Sequence, residues 1–144
     1  MALDFNPTTT RFDPLNALAL GQMAKLAYED EDAIKAQAGR WGLEAKSISK
    51  NHVLAGDTQV SVLSDADKVI VAFRGTQPKN LQDWMSDAEA ILVPGPAGMA
   101  HKGFLDALNL VYPELRTMVA RLQNRSQSLW VTGHSLGAAL ATLF

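Results

Sequence analysis

Near its carboxyl end the chain carries Gly133-His134-Ser135-Leu136-Gly137. This sits between an apolar stretch, Leu129-Trp130-Val131-Thr132, and the alanine- and leucine-rich segment Ala138 to Phe144. The first flank reads as a short strand and the second as a helix. A chain that passes from strand to helix across so few residues must turn very tightly. Side chains two residues either side of the serine would collide in that turn, so both positions are glycine. The serine at the apex takes a strained backbone conformation that lifts its hydroxyl clear of the sheet. The amides and positive dipole end of the new helix then face any negative charge that develops there. The pattern alone arises by chance in roughly 5% of chains this size; the strand before it and the helix after it are what give it weight.

The rest of the chain reads as helices, strands, helix, strand, helix, which predicts an α/β fold with a mixed sheet. Asp13-Pro14 is a helix start, with aspartate as cap and proline in the first turn. Leu15, Leu18, Met23 and Leu26 carry that helix to about Tyr28. The acidic run Glu29 to Asp32 reads as a solvated cap on a second helix. That helix has Ile34, Ala38 and Trp41 on one face and ends at Gly42. Leu43 to Ser49 is a weak strand candidate, and Thr58 to Ser64 a better one. Val69-Ile70-Val71-Ala72-Phe73 is a continuous apolar run, as expected for a strand buried on both faces. The two latter segments, joined by the turn at 65–68, predict a hairpin within a larger sheet.

Beyond it, Leu81, Trp84, Met85 and Ala88 predict a short amphipathic helix over 80–90. Pro94 to Gly98 reads as a loop. Leu108, Val111, Leu115, Met118, Val119 and Leu122 mark a long helix from Phe104. Pro113 falls inside it. Proline in a helix interior costs ~3 kcal/mol, so a kink is expected there, or a fresh helix beginning near 112.

Composition excludes several classes of function. There is no cysteine, hence no disulfide, thiolate nucleophile or thiolate metal site. Three scattered histidines do not make a metal ligand set, and no cofactor is implied. Net charge is −2 with no basic patch, which argues against nucleic acid as a partner. No apolar run reaches the ~18–20 residues of a membrane span. Residues 1–13 lack the basic start and apolar core of a secretory signal. They read as a flexible N-terminus, consistent with a cytoplasmic protein or a signal-independent export route.

Two further features bear on chemistry. Phe73-Arg74-Gly75-Thr76 ends the buried strand with a glycine and a hydroxyl residue, where sites in open α/β sheets lie. Met99-Ala100-His101-Lys102-Gly103-Phe104 carries a lone histidine before a glycine, a setting in which histidine is usually structural. Taken in order, Val69–Thr76, the Asp83-Trp84-x-x-Asp87 stretch, His101–Phe104 and Val131–Leu143 resemble the class 3 lipase family, the fungal-lipase-like α/β-hydrolases. The resemblance implies an α/β-hydrolase-type mixed sheet flanked by helices, reaching only a short way past the serine. It implies Ser135 as acyl nucleophile, with the backbone amides of Thr76 and Leu136 as an oxyanion hole. It also implies a lid over residues 77–92 with Leu81, Trp84 and Met85 as its apolar members. The same apolar stripe equally suits a helix packed permanently on the core. His134 and His101 resemble structural histidines of the family.

A serine nucleophile needs a base, and the base an orienting acid. In this fold they follow the serine in the chain, aspartate first and histidine second. No aspartate, glutamate or histidine follows Ser135 in this sequence. His52, His101 and His134 are poorly placed as substitutes, and none is named as base. Residues 1–144 are therefore expected to be the N-terminal part of a single hydrolase domain, with the acid and base beyond residue 144 and the chain alone inactive. The expected substrate is a lipid or other ester, met with transient contact to a lipid surface. Phospholipase A1, feruloyl esterase and diacylglycerol lipase activities also occur on the scaffold. An alternative is a non-catalytic interaction module that associates with itself or a complementing chain through the sheet edge at 129–132.

Overall fold

The computed structural model describes residues 3–52, 56–75, 91–123 and 126–144. Four strands form one sheet in the order β1-β2-β3-β6: β1 (Glu44–His52), β2 (Gly56–Ser64), β3 (Lys68–Phe73) and β6 (Ser128–Gly133). β1, β2 and β3 are successively antiparallel, with Val62 opposite Val71 and Val60 opposite Phe73. β6 then lies parallel to β3, Val131 beside Val71 and Gly133 beside Phe73. This is the mixed sheet the sequence predicts. His52 is the last residue of β1.

Every residue of β3 is buried. Its alternate residues serve two cores. Val69, Val71 and Phe73 join Ile48, Val60 and Val62 beneath α3 (Lys102–Leu122) and α4 (Leu136–Leu143). Ile70 and Ala72 face the other way, onto Met23 and Ala27 of the segment containing α1 (Pro14–Leu26) and Ala38 of α2 (Glu31–Arg40). A strand covered on both faces needs no polar alternation, which is why this run is continuously apolar.

Asp13 caps α1 as predicted, its carboxylate accepting from Leu15 and Asn16 N–H. The buried face of α1 differs from the expected one. Met23 of the expected stripe is buried, but Leu15 and Leu18 are exposed, and Asn16, Ala19 and Ala24 are buried in their place. Asn16 is stable there because its amide exchanges two hydrogen bonds with the Asn6 backbone, at 2.7 and 2.8 Å. Phe5 meanwhile stands edge-on to Trp130.

Two further expectations give way to tertiary context. The 94–98 segment is not a loop. Leu92–Gly95 (β4) and Gly98–His101 (β5) pair as a hairpin around a two-residue turn, and Gly98 supplies the positive φ of 132°. Pro113 does not begin a new helix, because α3 runs unbroken through it. Buried Ala107, Leu108 and Val111 precede Pro113, and buried Leu115 and Val119 follow it. Each large apolar side chain contributes about 1.5–3 kcal/mol on burial, so together they outweigh the ~3 kcal/mol cost of the proline.

Candidate active site

β6 ends at Gly133 and α4 begins at Leu136, leaving Ser135 as the cap between them. Ser135 has φ 57° and ψ −125°, and among the described residues it is the only non-glycine with positive φ. Such backbone costs about 1–3 kcal/mol and persists only where its surroundings enforce it. Both flanking glycines are enforced sterically. A Cβ on Gly133 would lie 2.2 Å from the Gly137 carbonyl oxygen, and one on Gly137 would lie 2.3 Å from the Phe73 carbonyl oxygen. The turn closes with Gly137 N–H donating to His134 O at 3.0 Å and Ala138 N–H to Ser135 O at 3.0 Å. The predicted strand–turn–helix is present, with the serine at its apex.

The Gly137 contact also joins this turn to the end of β3, since the missing Cβ makes room for the Phe73–Arg74 backbone. Arg74 is fixed from the other side. Its N–H donates to Gln59 O at 3.0 Å, and its guanidinium donates to the Gln59 side chain. Gly75 is buried against the turn, because a Cβ there would meet the His134 carbonyl oxygen at 2.4 Å. The carboxyl ends of two parallel strands therefore converge, the position where ligands bind in open α/β sheets. Leu136 is buried at the first position of α4. Its N–H belongs to the first helical turn, whose donors have no partner within the helix.

The remaining site residues of the sequence reading fall differently. Half-buried Ser135 makes no side-chain capping bond. His134 turns away from it, its Nδ1 3.0 Å from the Tyr28 hydroxyl. His101 closes β5 and stacks obliquely on Phe104, with ring centroids 4.7 Å apart. Thr76, Leu81, Trp84 and Met85 lie outside the described residues, as do Asp83 and Asp87. Tyr28 escaped the sequence reading. It is 106 residues from His134 in the chain, and no local pattern marks it. A cavity of about 400 Å³ opens beside Tyr28 and Arg74 toward Ser47, Ser49 and Ile34, and Ser135 does not line it.

The family model described as lipase (class 3) matches residues 70–144, which include both converging strand ends. The chain is 27% identical to a triacylglycerol lipase of Arabidopsis thaliana over 84% of its length and 32% of that protein's. It is 29% identical to a phospholipase A1 of rice over 88% of its length and 39% of that protein's. The lipase of Rhizomucor miehei is 36% identical over 69% of this chain and 29% of its own. The chain thus spans about a third of the length of the curated relatives it matches. Two solved lipases share the α/β-hydrolase fold. One is the Rhizomucor miehei lipase–propeptide complex (TM-score 0.53, 28% identity, 69% of this chain and 33% of that one). The other is a Yarrowia lipolytica lipase (TM-score 0.60, 20% identity, 92% of this chain and 53% of that one).

Proposed function

Because this chain belongs to the class 3 lipase family, we propose that it carries the nucleophile and oxyanion half of a serine carboxylic ester hydrolase. The observation that carries this reading is the Ser135 backbone. A φ of 57° at a non-glycine residue is held between two positions that admit no side chain, at the carboxyl end of a parallel strand. Strain of this kind lifts a hydroxyl out of the sheet into reach of a substrate.

In the proposed reaction Ser135 Oγ attacks the ester carbonyl carbon while a histidine takes its proton. The carbonyl oxygen, now negative, is held by the amides of Thr76 and Leu136. Two preorganised donors of this sort stabilise the charge only as it forms. Collapse of the tetrahedral intermediate expels the alcohol, protonated by the same histidine, and leaves an acyl-serine that water hydrolyses. We propose that a histidine base and its orienting aspartate are supplied by sequence outside residues 1–144; without them the chain is expected to turn over esters at least ~10⁴-fold more slowly. The substrate is a lipid ester, triacylglycerol or phospholipid as in the relatives' names. We further propose that Leu81, Trp84 and Met85 contact the lipid substrate, as their resemblance to the family's lid segment implies.

A fluorophosphonate probe tests this. The chain extended through its downstream sequence is expected to label rapidly at Ser135, and the chain alone slowly. Ser135→Ala is expected to abolish labelling and to lower ester turnover by about 10⁴-fold or more. Turnover that survives Ser135→Ala overturns the assignment.

A second reading follows from β6, which ends the strand order of the described sheet with Leu129 exposed. An open strand edge invites pairing, here with downstream sequence or another copy of the chain. Light scattering that finds only monomers of the 144-residue chain counts against association between copies.

A further inference from the structure

Tyr28 belongs to neither of the segments that meet at Ser135. It stands just past α1, its N–H donating to Lys25 O at 3.1 Å. Its phenol oxygen lies 3.0 Å from His134 Nδ1, and the two rings meet edge-on with centroids 6.0 Å apart. The same oxygen occupies the space that a side chain on Gly75 would need, since a Cβ there would be 2.2 Å from it. One hydroxyl thus touches both the turn that carries Ser135 and the end of β3. The segment holding it is itself anchored to β6, where the Thr132 hydroxyl donates to Leu20 O at 3.1 Å.

Glycine contacts fix the turn on its α4 side, but the His134 ring is exposed and takes its position from Tyr28. We propose that Tyr28 is a positioning residue for the ester hydrolysis. Through His134 it holds the serine turn against the strand end at Gly75, from which the oxyanion donor Thr76 follows in sequence. The role rests on Ser135 being the nucleophile. The phenol donates to Nδ1 or accepts from it according to the imidazole tautomer, so either tautomer keeps the link. Its work is geometric, because small displacements between a nucleophile and its oxyanion donors are costly in rate.

The test uses the protein extended through its downstream sequence, with kcat and KM measured on the soluble ester p-nitrophenyl butyrate. Tyr28→Phe, which keeps the ring, is expected to lower kcat about tenfold and leave KM within about twofold. His134→Leu is expected to do the same, and the double variant to lose no more than either single one. His134→Asn places an amide oxygen near the former Nδ1 and is expected to recover most of the wild-type kcat. A kcat unchanged in Tyr28→Phe or His134→Leu, with only the melting temperature lowered, overturns the proposal, as do fully additive losses. If Tyr28→Phe does not fold, the His134→Leu and His134→Asn pair alone decides: equal kcat in both overturns it. Ser135→Ala, run in parallel, separates the two readings. Turnover in that variant overturns the nucleophile and this role with it. Its loss beside a fully active Tyr28→Phe overturns this role alone.

Discussion

β3 and β6 are parallel neighbours in one sheet, paired residue for residue from Lys68 and Ser128 to Phe73 and Gly133. Their surroundings differ. β3 is buried along its whole length, whereas β6 is half-buried throughout, with Leu129 exposed. β3 lies between two strands and beneath helices on both faces. β6 stands at the end of the strand order. Yet β6 carries the strained residue and β3 supplies the unstrained backbone against which it is held. Burial is concentrated in β3, and the strained residue lies just past the tip of the strand beside it. A rigid neighbour is what lets a strained turn keep its shape.

Substitution where the two strands meet is expected to have the largest effect. Gly137→Ala drives a methyl group into the Phe73 carbonyl, which is backbone and has nowhere to go. It is expected to destabilise the fold by about 3 kcal/mol in urea unfolding, whereas Gly21→Ala in open space on α1 stabilises by about 0.5–1 kcal/mol. Equal effects of the two would break the comparison. The register pair Val71 and Val131 sharpens it. Val71→Ala in the fully buried strand is expected to cost about 2.5 kcal/mol, and Val131→Ala about 1 kcal/mol, by the same measurement.

Ser135→Gly addresses the strain itself. Glycine accepts φ 57° freely, so this variant is expected to gain about 1 kcal/mol and raise the melting temperature while losing fluorophosphonate labelling. A lowered melting temperature would remove the strain from the account.

The smallest effect lies in the turn that feeds β3. Asp65 accepts from Asp67 N–H at 2.9 Å and Lys68 N–H at 3.0 Å, and it pairs with the Lys68 ammonium. Burial pushes its carboxyl up, but the Lys68 ammonium and the two amides outweigh this and hold it below its ordinary value. A carboxylate lowered in the native state stabilises above its unfolded pKa of about 3.9 and loses that contribution as pH falls through the native one. Wild type is therefore expected to exceed Asp65→Asn in stability near neutral pH, the margin closing below about pH 4 in a urea series.

The sequence made the serine turn legible because its constraint is local. Two glycines around a serine, a strand before and a helix after are dictated by sterics within five residues. The same holds for the Asp13 cap and for β3, whose unbroken apolar run announces cover on both faces. Periodicity misplaced the buried face of α1, because what holds Asn16 inside is the backbone of Asn6 rather than the hydrophobic stripe. It also underrated the packing that carries α3 through Pro113 and the glycine that folds residues 92–101 into a hairpin.

By itself, the sequence determined that a serine sits strained at the end of a strand and that residues 1–144 contain no thiol. Only the tertiary structure decided what that serine is held against. The end of β3, the missing side chain of Gly75 and the hydroxyl of Tyr28 reach the turn that carries it, at Gly137 and His134, from distant parts of the chain. A contact across 106 residues leaves no periodic or spacing signal, because it is fixed by the path of the whole chain rather than by the sterics of neighbouring residues.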